Sequence, residues 1–77
     1  MATKMTRKKA LELAQLGLSV LLVEAHERLI AAQNATIGNP FDPDIQGEYE
    51  MADNHYADLA AALAMIEHMA RQQELHL

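Results

Sequence analysis

Residues 42–73 read DPDIQGEYEMADNHYADLAAALAMIEHMARQQ, and apolar residues recur through them at alternating steps of four and three. Ile45, Tyr49, Ala52, Tyr56, Leu59, Leu63, Ile66 and Ala70 form the series. Steps averaging about 3.5 residues keep all eight on one side of an α-helix and hold them against a partner helix for its whole length. The stretch predicts a long amphipathic helix, and the rest of the chain must give its stripe something to pack on.

The preceding half supplies a second helix, expected over about residues 7–36, with Thr6 as its N-cap. It carries two apolar stripes. One is Leu11, Ala14, Leu18, Leu21 or Leu22, Ala25, Leu29 and Ala32; the other is Leu13, Leu16, Val20, Val23 and Ile30. Between Leu16 and Val23 only Gly17 and Ser19 interrupt the hydrocarbon, so the middle of this helix is apolar nearly all round and needs cover on more than one side. Gly17 lowers helix propensity by up to about 1 kcal/mol relative to Ala, and close approach of another backbone is one compensation.

NATIGNPF (34–41) ends the first helix, with Gly38 suited to a left-handed C-cap and Pro40 unable to continue the ladder. Asp42 then caps the second helix and Pro43 takes its first position. Gly47 is the one weak point, where that helix is expected to bend or to start late, near Glu48. Two helices of roughly 45 Å each at 1.5 Å per residue, joined by a turn of about six residues, make an antiparallel hairpin. The expected fold is all-α, a single domain of helices over about 7–36 and 42–73. In that register Leu11 faces the region of Ile66 and Ala25 that of Ala52, so small residues meet near the turn. A hairpin satisfies the second helix but leaves Leu13, Leu16, Val20, Val23 and Ile30 in water. The sequence thus predicts a homodimer closing as a four-helix bundle with the first helices central.

Seventy-seven residues form a core only with idealised packing, crosslinks, metal or oligomerisation. The chain has no cysteine, which removes disulfides and thiolate metal sites and agrees with a cytoplasmic location. The apolar stretch after the basic start contains Glu12, Gln15 and Glu24 and so does not read as a signal peptide, and Leu16–Val23 is far short of the ~20 residues that span a bilayer. A net charge of −5 argues against a broad face for duplex DNA. Its distribution is polar: Lys4, Arg7, Lys8 and Lys9 crowd the start, and Asp42, Asp44, Glu48, Glu50 and Asp53 crowd the turn.

From Asp42 onward the spacing also resembles an EF-hand calcium loop, with Asp44 third, Gly47 sixth and Asp53 twelfth. It departs from that pattern at Gln46, at the short Asp53 and at Pro43, and Ile45, Tyr49 and Ala52 are already accounted for as heptad positions. The four histidines do not fall in the Glu-x-x-His spacing of di-metal bundles; His26 and His55 are the two that a hairpin brings to a similar height. With no glycine-rich phosphate loop and no activated nucleophile, neither catalysis nor a cofactor is expected.

The function expected is that of a small non-enzymatic interaction module that regulates or inhibits a larger protein, as many phage-borne inhibitors and adaptor subunits do. Its contact surface is the acidic turn: Phe41, Asp42, Asp44, Glu48, Tyr49, Glu50 and Asp53, facing a basic partner. Two alternatives stand beside it: an oligomeric bundle that binds a small ligand or metal ion, and a nucleic-acid accessory protein using the basic start, which lacks interleaved aromatics for base stacking.

Overall fold

The computed structural model describes residues 5–75, in which α1 (Arg7–Gly38) and α2 (Pro43–Leu75) pack side by side as a hairpin. Thr6 is extended (φ −87°, ψ 156°), and its hydroxyl accepts a hydrogen bond from the Lys9 amide at 3.1 Å, which satisfies one of the free donors of the first turn.

At its other end α1 runs two residues past the expected stop. Gly38 is helical, and among the described residues no glycine adopts positive φ, so the left-handed cap expected there does not form. Asn39 closes the helix instead: its backbone N–H donates to the Ala35 carbonyl at 3.0 Å and its side-chain amide reaches the same oxygen at 3.4 Å. The side-chain amide thus adds a second, longer donor to a terminal carbonyl that the Asn39 backbone already satisfies. Pro40 then prevents continuation. The connection shortens to residues 39–42 and is tied internally, with the Asp42 amide donating to the Asn39 carbonyl at 3.2 Å and the Gln46 side-chain amide donating to the Pro40 carbonyl.

Asp42 caps α2 as the sequence predicts, its carboxylate accepting from the Asp44 amide at 3.0 Å and from the Ile45 amide at 3.5 Å. Pro43 is the first helical residue, where its missing N–H removes nothing. The helix passes through Gly47 without ending or restarting. A Cβ built at Gly47 meets no atom within 4 Å, so Gly47→Ala is expected to gain helix propensity at no steric cost. The gain should approach about 1 kcal/mol, read as a higher urea midpoint with an unchanged slope.

All eight members of the α2 stripe are half-buried. Facing them, Leu11 and Ala25 are buried and Ala14, Leu18, Leu22, Leu29 and Ala32 are half-buried, while Leu21 is exposed, which decides between Leu21 and Leu22. Leu11 borders a small depression that Ala70 and Gln73 of α2 also line. Among the described residues only Leu11, 7% exposed, and Ala25, 3% exposed, are fully inside. The radius of gyration is 17.3 Å, against about 11 Å for a compact chain of this length. A two-helix rod therefore holds its helices together along one seam and builds almost no interior.

Candidate interaction surfaces

Two surfaces stand out once the seam is formed. The first is the far side of α1. Leu13, Leu16, Val20, Val23 and Ile30 are 47%, 65%, 54%, 61% and 44% exposed, so every residue of the second stripe is left in water. These positions lie half a turn of the helix from Leu11, Leu18 and Ala25, and the two opposed stripes leave α1 with next to no net amphipathicity. Ile37, at 74% exposure, extends the stripe past Ile30 by the same heptad spacing. The repeat itself carried that signal, which the glycine and prolines nearby obscured.

At the turn lies the second surface. Phe41 is 93% exposed, because the tied four-residue connection holds it outside both helices. It is not a plug of the hairpin. Asp42, Asp44, Glu48, Glu50 and Asp53 are all exposed, whereas Tyr49 is half-buried on the seam. Because α2 is continuous here, Asp44 and Glu48 share one side and Glu50 and Asp53 another. The acids form a collar around the helix start, and no calcium loop exists to gather them. Asp42 already spends its carboxylate on the cap.

Beside the collar the helices leave an open groove of about 610 Å³, lined by Ala25, Ala32, Ala35 and Ala52 at its base and by Arg28, Glu48, Met51 and His55 around it. Small residues meeting small ones near the turn, as the sequence predicts, leave this space. Met51 is 73% exposed, an apolar site one step off the stripe that the sequence reading missed. His26 rests instead on Tyr56, ring centroids 5.7 Å apart at 44°, so the two histidines line different depressions. Among the described residues no three His, Asp or Glu side chains converge.

The basic start, Arg7, Lys8 and Lys9, is exposed on the first turn of α1, and Lys4 lies outside the described residues. No described helix is long and apolar enough to cross a membrane. Compared with protein-family models, with curated proteins and with solved structures, the chain matches none.

Proposed function

We propose that this chain is a non-enzymatic interaction module, working in the cytoplasm as a homodimer, that binds and regulates or inhibits a larger protein with a basic surface. The observation that carries the reading is Phe41: an aromatic side chain 93% exposed in the turn, followed along the chain by the exposed carboxylates of Asp42, Asp44, Glu48, Glu50 and Asp53. A large apolar side chain held in water has no use to the hairpin, and aromatic anchors of this kind dominate protein interfaces. The collar steers a basic partner at long range, while Phe41 and Met51 supply the desolvated contact. This division of labour is that of small inhibitors and adaptors such as phages carry, a likeness of kind only.

Dimerisation through Leu13, Leu16, Val20, Val23 and Ile30 belongs to the same reading. A hairpin in which, among the described residues, only Leu11 and Ala25 are buried has little to hold it, and five exposed aliphatic residues on one line are the means to add a core. The exposed seam lies opposite the hairpin seam, so covering it stacks the helices in a row, α2–α1–α1–α2, with both first helices in the middle.

Affinity capture from lysate of the source cell, or of its host if the source is a phage, tests the function. The wild-type chain should retain one partner in stoichiometric amount. Phe41→Ala should cost about 2 kcal/mol of that affinity, and reversal of Glu48, Glu50 and Asp53 to Lys should abolish capture, with helix content unchanged in both. A blank capture, or capture indifferent to both changes, would overturn the reading.

A further inference from the structure

The exposed seam of α1 is longer than its aliphatic part. Followed at steps of four and three it reads Lys9, Leu13, Leu16, Val20, Val23, Glu27, Ile30, Asn34 and Ile37, and every one of these residues is exposed. Its charges are not scattered. One cation opens the aliphatic run and one anion closes it, and the run is symmetric about residue 18: Lys9 and Glu27 lie nine residues to either side, Leu13 and Val23 five, Leu16 and Val20 two. We infer that the seam is built to receive a second copy of α1 running antiparallel, with Lys9 against the partner's Glu27. The inference rests on the proposed dimer and adds its direction and register.

The physical reason is the order of the steps. From Lys9 to Glu27 the steps run four, three, four, three, four, the same read in either direction, so on a reversed partner Lys9 meets the partner's Glu27, Leu13 the partner's Val23 and Leu16 the partner's Val20, with no step out of phase. A two-fold axis repeats each pair in the opposite sense, as an isologous interface requires. Side by side in parallel, Lys9 would face the partner's Lys9 and Glu27 the partner's Glu27, two like-charge contacts flanking the apolar run. Sliding the antiparallel pair by one heptad toward the turn would set Glu27 against the partner's Leu16 and leave a carboxylate to be desolvated without a cation. Only one register pairs both charges and all four central aliphatics.

Two further features fit that register. Gly17 and Ser19, both small, flank the two-fold position, and a Cβ at Gly17 would meet nothing within 4 Å in the single chain. The backbone approach that the sequence suggests for Gly17 is absent inside the hairpin and falls on the dimer axis instead. At Ile30 the partner's Thr6 comes level, with the partner's Met5, 58% exposed, just beyond. From there α1 and the turn overhang, so the two Phe41 ends point outward at opposite ends of the dimer, both free to bind.

Sedimentation of Lys9→Glu, Glu27→Lys and the double variant tests the pairing. The wild-type chain should sediment as two 8.5 kDa chains. Each single reversal makes two like-charge contacts and should raise the dimer Kd about tenfold; the double variant restores both pairs and should return to within about threefold of wild type. Because the sequence has no cysteine, crosslinking gives direction independently. Lys9→Cys and Glu27→Cys chains should form a disulfide with each other and neither with itself, since like positions would be about 27 Å apart at 1.5 Å per residue. Self-crosslinking of either variant, or a double variant no better than the singles, would overturn the antiparallel register while leaving the dimer standing. A wild-type chain monomeric at every concentration would instead remove the dimer on which it rests.

Discussion

Val20→Asp is expected to raise the dimer dissociation constant by about a thousandfold or more while leaving the hairpin seam intact. Val20 is 54% exposed, on the side of α1 opposite the buried Leu11 and Ala25, so inside one chain the change buries no carboxylate. In the dimer it removes a valine from each copy, at about 1.5 kcal/mol each, and buries two carboxylates near the axis with no cation to meet them. Together these exceed the ~4 kcal/mol that a thousandfold represents. Melting temperature gives a second readout. Dimerisation stabilises by mass action, so the wild-type Tm should climb with protein concentration and that of Val20→Asp should be flat and lower. Val20→Leu keeps the seam apolar and should behave as wild type. If wild-type and Val20→Asp chains melt alike at all concentrations, the far face of α1 contributes nothing to a self-interface.

Leu11→Ala is expected to remove about 3 kcal/mol of stability at every protein concentration, because the cavity it opens lies inside the single chain. Leu11 is 7% exposed and is the only large side chain among the described residues that is buried. A single small core seldom supplies more than about 3–5 kcal/mol, so the variant should be largely unfolded at 37 °C, seen as loss of helical circular dichroism. Leu13→Ala makes the contrast. The two leucines are one residue apart in a helix and face different sides, and at 47% exposure Leu13 has little to lose within the hairpin. Its cost should appear as weaker dimerisation and shrink on dilution. Equal, concentration-independent losses at both positions would show that the two faces are not distinct.

Much of this was legible in the chain because helical periodicity is a local property. Every residue of the 45–70 stripe falls on the seam, and Thr6, Asp42 and Pro43 act where capping chemistry puts them, since a cap needs only its own neighbours within a few residues. The helix end at Asn39 was not legible. Gly38 and Asn39 both suit a terminus, and it is Asn39 that closes it, its backbone and side-chain amides both donating to the Ala35 carbonyl. The candidate surface was legible in part: composition marked the acids and Phe41, but only a continuous α2 could show that the acids encircle the helix start and that Tyr49 turns to the seam.

By itself the sequence determined two helices, their faces and the polarity of charge along them, because period, caps and breakers act over a turn or two. The tertiary structure decided what depends on how two rods meet. Cross-sectional packing left an open groove where alanines face each other, and buried one stripe of α1 but not the other. A helix with two opposed apolar faces can satisfy only one within a hairpin, since its single neighbour lies on one side of it.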